Sequence, residues 1–189
     1  CGINLFLAAM ITVALPYLVT EVLDLEAAWS NRLYGFAQGA LAAGGLVGGM
    51  GAGIFADRLA VEKSGNLVIA CALSVFPMGV SLAAVSSGIA NYFVITACCF
   101  GVMMFSTVFT VEMMSFIQKE TPPHLIGKVI AVILTVAMCA QPLGNAFYGI
   151  LFEICEGVEY RVVLFSGVVS LIIAAGARNI FRRFLGEGE

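Results

Sequence analysis

Long apolar runs separated by short polar breaks make up nearly the whole chain. The first runs roughly from Gly2 to Val19, and the break after it covers Glu21 to Arg32. The second extends from about Leu33 to Ala56 and stops at Asp57-Arg58. A third, from about Asn66 to Val85, is joined by a tight Ser-Ser-Gly-Ile-Ala-Asn connection to a fourth, from about Tyr92 to Ile117. The break Gln118 to Lys128 holds Thr121-Pro122-Pro123, which stops a helix because proline lacks an N–H and restricts the residue before it. The fifth run covers about Val129 to Phe152, the break after it covers Glu153 to Arg161, and the sixth runs from about Val162 to Ile180 and closes at Arg182-Arg183. Each run is near the ~20 residues a helix needs to cross a hydrocarbon core. Membrane barrel strands are shorter and alternate in polarity, so the pattern predicts an all-α membrane protein with six spans over residues 1–189.

Composition supports that reading. Of 189 residues, 61% are hydrophobic and 11% are charged, against about 25% charged in soluble domains, so polar surface is too scarce to coat a water-soluble globule. The lipid bilayer is the first partner this implies. The net charge of −3 carries no basic footprint for nucleic acid. Cys71, Cys98, Cys99 and Cys139 lie inside apolar runs and Cys155 near a span end; with no Cys-x-x-Cys and the single histidine His124, the thiols read as small apolar side chains. Neither a metal nor a cofactor is expected, and no constellation near an interface suggests an enzyme. The chain opens at Cys1-Gly2 without an initiator Met and enters an apolar run at once, which reads as a piece of a longer chain rather than as a lipidated terminus or a signal peptide.

Basic residues give an orientation. Arg58, Lys63, Lys119, Lys128, Arg178, Arg182 and Arg183 fall in the breaks after the second and fourth runs and in the tail; Arg32 and Arg161 alone fall on the opposite side. The positive-inside rule then puts those loops and both ends of the chain in the cytoplasm.

The second run is dense in glycine. Gly45, Gly49 and Gly53 sit four apart, as do Gly35 and Gly39. That spacing stacks bare backbone on one helix face and admits a second helix at close range. No Lys-Ser/Thr follows, so a phosphate-binding loop is a poor alternative.

At the end of this run, Gly53-Ile54-Phe55-Ala56-Asp57-Arg58-Leu59 resembles the Gly-x-x-x-Asp-Arg signature of cytoplasmic loops in the major facilitator superfamily. Gln118 to Lys128, with Pro122 and the Gly127-Lys128 pair, resembles the loop between the tenth and eleventh helices of its drug-exporter-like branch. Pro142-Leu143-Gly144 followed by Gly149 is similar to the pattern of the eleventh helix. The resemblance covers nearly the whole chain. Where the full signature continues with Gly and basic residues, Ala60, Val61 and Glu62 stand here, and only Lys63 is basic, as in the C-terminal halves of such transporters. The resemblance therefore implies helices seven to twelve of a twelve-helix transporter, built as two three-helix inverted repeats and completed by an N-terminal six-helix half. It makes Gly53, Asp57 and Arg58 a conformational loop, although Asp57 also reads as an ordinary loop charge or as the partner of a helix N-terminus.

Glu112 is the one ionisable residue well inside a run. A carboxylate in hydrocarbon costs about 2.5 kcal/mol or more, so it reads either as a protonation or substrate-cation site or as a group near enough to the interface for water to reach. Gln141, Asn145 and Tyr148 share one face of the fifth run. Such groups avoid lipid and face either another helix or a substrate cavity. Asn4, Thr12, Pro16 and Tyr17 in the first run are sparser candidates of the same kind, and Pro142 is a candidate kink. The Met- and Phe-rich fourth run reads as lipid contact, or as a soft cavity wall.

The function expected from the resemblance is secondary active transport: proton-coupled efflux of small organic molecules across the plasma membrane by alternating access. A non-transporting six-span scaffold or assembly protein is the alternative.

Overall fold

The computed structural model describes residues 4–23, 27–54, 61–85 and 87–186, and every regular element among them is helical. The first span is a π-helical turn (Asn4–Ala8), then α1 (Ala9–Tyr17), then a second π-helical turn (Leu18–Val22). Pro16 lies inside α1 and cannot donate a hydrogen bond to the preceding turn. π turns occur where the helical ladder has to change register. In each of these turns one carbonyl takes a serine hydroxyl from another helix: Ser166 donates to Phe6 O at 3.0 Å and Ser30 to Val19 O at 3.1 Å.

The second span is α2 (Ala27–Ile54). The third is two pieces, α3 (Val61–Leu73) and α4 (Phe76–Ala84), separated by a turn at Ser74 and Val75. Pro77 explains the interruption: it lies at the start of α4, where its missing N–H is tolerated, and the ladder resumes with Gly79 N donating to Val75 O. The fourth span, α5 (Gly88–Glu120), has 33 residues, about 50 Å of helix, so it overreaches a hydrocarbon core of about 30 Å. Its start is clamped to α4. Ser81 donates to Asn91, and Asn91 Nδ2 donates to Val85 O at 3.0 Å. It ends at the residue before Thr121-Pro122-Pro123. The fifth span is α6 (Ile126–Ile154) and the sixth α7 (Glu159–Gly186). They are joined through Gly157, whose φ of 84° is a left-handed conformation that glycine adopts without steric cost.

Every helical stretch but the first begins before its apolar run, and the first, fourth, fifth and sixth continue beyond the end of theirs. α2 starts at Ala27, inside the break expected to reach Arg32. Apolarity marks where hydrocarbon begins, whereas a helix continues until a proline, a cap or a turn ends it. Among the described residues five spans are long and apolar enough to cross a membrane; in the described part of α2, glycine dilutes the hydropathy over 28 residues. α6 runs unbroken through Pro142.

Glycine decides the helix contacts. A β-carbon on Gly44 would lie 2.4 Å from the Phe100 carbonyl oxygen, and one on Gly48 the same distance from that of Met104. The closest approach of α2 to α5 therefore runs through Gly44 and Gly48. The glycines expected at the contact sit beside it: Gly45 and Gly49 make ordinary contact with Thr107, and a β-carbon on Gly53 would meet nothing within 4 Å among the described residues. The sequence spacing gave the period of the stripe but not its face, because neighbouring Gly-Gly pairs offer two stripes 100° apart.

The other crossings use the same device. Gly144 of α6 lies against the Leu5 carbonyl of the first span, Gly79 of α4 against Leu164 of α7, and Gly167 of α7 against Phe76 of α4. The registers also give directions. Gly44 and Gly48 face Phe100 and Met104 in ascending order, so α2 and α5 are parallel. Gly144 meets Leu5 and the Phe152 ring meets Tyr17, so α6 runs parallel to the first span. Gly79 with Leu164 and Phe76 with Gly167 make α4 and α7 antiparallel. These are the directions of a chain that reverses at each of five connections, with α3 and α4 counted as one crossing.

Gly48→Ala should destabilise the protein by about 1–3 kcal/mol, because a β-carbon has no room against backbone. Gly51→Ala, where a β-carbon would meet nothing within 4 Å among the described residues, should be neutral or gain up to about 1 kcal/mol of helix propensity. Denaturant unfolding of the detergent-solubilised chain measures both; equal midpoints would mean that the α2–α5 crossing is not that close.

Candidate functional site

A cleft of about 270 Å³ lies between the first, second, fourth and fifth spans. Its walls are Leu7, Ala8, Ile11 and Thr12 of the first span, Gln38 and Leu41 of α2, Val102, Met103 and Ser106 of α5, and Gln141 of α6. The third and sixth spans take no part in it. Gln141 stands at the midpoint of α6 and Thr12 near the middle of its span, so the cleft is at mid-depth of the bundle. Gln141 Nε2 reaches Thr12 Oγ1 at 3.5 Å, a long bond that ties α6 to α1. Thr12 gives its own hydrogen to Ala8 O at 2.8 Å, so a lone pair faces Gln141. Across the cleft Gln38 Nε2 donates to Tyr34 OH at 2.8 Å.

The face of α6 that carries Gln141, Asn145 and Tyr148 divides between two surroundings. Gln141 lines the cleft. Tyr148 is wholly buried in the apolar cluster, its ring edge-on to Phe147 at 5.4 Å, and the Asn145 side-chain oxygen is also inside the protein without a hydrogen-bond partner among the described residues. The Tyr148 hydroxyl points toward Ser166, but Ser166 spends its hydrogen on Phe6 O, and the two hydroxyls do not reach hydrogen-bonding geometry. Tyr17 lies at the far end of its span with its ring 5.4 Å from that of Phe152. It lines a separate open concavity of about 440 Å³ with Glu21, Glu156 and Glu159. Backbone near Asn4 belongs to the first π turn; its side chain, like Asp57 and Arg58, lies outside the described residues.

Glu112 is 7% exposed on α5. It does not line the cleft: Ser106, the last residue of α5 to do so, precedes it by about 9 Å of helix.

Two cleft residues were not singled out from the sequence, Gln38 and Ser106. Both are polar positions inside apolar runs, which is the signal that drew attention to Gln141. Gln38 sits between Gly35 and Gly44, where glycine spacing dominates the pattern, and Ser106 is followed by Thr107 and Thr110, which bond back to their own helix. Comparison with known protein families, curated proteins and solved structures finds no match to this chain.

Ser166→Ala should cost about 1 kcal/mol, because it removes the bond to Phe6 O. Tyr148→Phe removes a buried hydroxyl that makes no hydrogen bond among the described residues and should be neutral or slightly stabilising. The two variants, unfolded side by side, should shift in different directions; a loss of 2 kcal/mol or more for Tyr148→Phe would show that its hydroxyl is bonded after all.

Proposed function

We propose that the chain is the C-terminal six-helix half of a major facilitator type secondary transporter, which exports small organic molecules across the plasma membrane with proton coupling. The observation that carries this reading is the cleft at mid-depth: uncharged polar side chains from four different spans converge there, although hydrogen-bonding groups are costly to place in a bilayer without a use.

The packing adds support. Exchange of spans one, two and three for four, five and six turns the second–fourth contact into the fifth–first, and the third–fourth into the sixth–first; it leaves the third–sixth contact on itself. The glycines obey the same exchange. Gly44 on the Phe100 carbonyl becomes Gly144 on the Leu5 carbonyl, and Gly79 on Leu164 becomes Gly167 on Phe76. Two inverted three-helix repeats would produce this relation. In the resemblance, an N-terminal half faces the cleft and completes it, and the two halves rock about it in alternating access. The loop of Gly53, Asp57 and Arg58 would then hold one of the closed states. Glu112, off the cleft but buried on a helix that lines it, is the proposed proton-coupling group.

The test is transport by the full-length protein in proteoliposomes with an imposed proton gradient. Gln141→Leu should lower uptake or efflux about tenfold while folding is retained. Glu112→Gln should abolish the response to the gradient and leave downhill exchange intact. Unchanged transport in Gln141→Leu would remove the cleft from the pathway, and an unaltered gradient response in Glu112→Gln would remove Glu112 from coupling.

A further inference from the structure

The cleft offers hydrogen bonds and no charge. Of its ten lining residues, Thr12, Gln38, Ser106 and Gln141 are polar, and none of the ten is titratable. Each glutamine uses an amide N–H internally, Gln38 on Tyr34 and Gln141 on Thr12. Among the described residues their amide oxygens accept nothing and the Ser106 hydroxyl is unengaged. Two carbonyl acceptors, a second N–H on each amide and a hydroxyl therefore remain for a guest. The rest of the wall is aliphatic or thioether, from Leu7, Ile11, Leu41, Val102 and Met103, and methionine adapts its shape to what it touches.

A cation or anion entering this space would exchange water for a largely apolar wall from which this chain supplies no counter-charge, which is penalised. A pure hydrocarbon would strip water from two glutamines and return nothing, which is also penalised. A molecule with an apolar body and an uncharged head that both donates and accepts loses neither way. We infer that the cleft selects uncharged amphipathic molecules with an amide-like or hydroxylic head, and discriminates against charged molecules of the same skeleton. This rests on the reading of the cleft as a substrate site and narrows its substrate class.

Three compounds of one skeleton test it: 4-phenylbutanamide, 4-phenylbutylamine and 4-phenylbutyrate. Binding to the full chain in lipid nanodiscs is followed by saturation-transfer NMR at neutral pH, with empty nanodiscs subtracted to remove partition into lipid. The amide should bind at least tenfold more tightly than the amine or the carboxylate. Gln141→Leu should weaken the amide about fivefold or more. Gln141→Glu, read at alkaline pH, should gain affinity for the amine and lose it for the amide; this gain keeps the test informative if the leucine variant misfolds. Equal binding of an ion and the amide, binding of none above empty nanodiscs, or indifference of the amide to both substitutions overturns the inference. Binding as described in a protein that moves nothing across proteoliposomes would leave the inference standing and overturn the transporter reading. Transport of the charged compounds in preference to the amide would do the reverse.

Discussion

Direct contact between helix backbones is the interaction on which the rest of this architecture depends. In lipid there is no hydrophobic force to drive helices together, so association relies on close van der Waals packing and a few interhelical hydrogen bonds. Here glycine removes the side chain at three of the crossings. Gly44 and Gly48 seat α2 on α5, Gly144 seats α6 on the first span, and Gly79 and Gly167 seat α4 and α7 on each other. The cleft follows from the same arrangement. The glycine crossings pair the second span with the fourth and the fifth with the first, and between these two pairs side chains of ordinary size hold the helices apart. The space left is the one that Thr12, Gln38, Ser106 and Gln141 enter.

This division also accounts for the polar residues. Several of those on the seams between helices are used in structure. Ser166 and Ser30 occupy carbonyls of the π turns, Asn91 ties α5 to the end of α4, and Tyr92 OH reaches Leu33 O at 2.9 Å. Those in the cleft keep part of their hydrogen-bonding capacity. One face of α6 shows two surroundings within two turns, with Gln141 in the cleft and Tyr148 sealed among apolar side chains. A shared helix face is therefore not a shared environment, because a crossing helix covers only part of its length.

Much of the fold was legible in the sequence because hydrocarbon thickness imposes a single length scale on every apolar run. The helical class and the positions of the breaks follow from that scale, and Pro122-Pro123 ends α5 as expected. Two features were not legible. The interruption of the third span needed the position of Pro77 relative to its turn, and a proline near a run's centre reads equally as a kink. The face of the glycine stripe on α2 needed its partner, since Gly44-Gly45 and Gly48-Gly49 offer two adjacent stripes of the same period. For the site, Gln141 announced itself as an amide in the middle of a span. Gln38 and Ser106 did not, because they acquire meaning only when four helices from distant parts of the chain bring them to one cleft. Glu112 stands out in the sequence by its charge, whereas the cleft is defined by residues without one.

The two π turns of the first span give it a distinct mechanical position. Its lower turn is held by a hydroxyl from α7 and its upper turn by one from α2, while its middle carries Thr12 into the cleft. α7 and α2 belong to different seams, so the first span is a tie rod between them, anchored at both ends through single hydrogen bonds. A relative slide of those helices cannot keep both anchors at constant pitch.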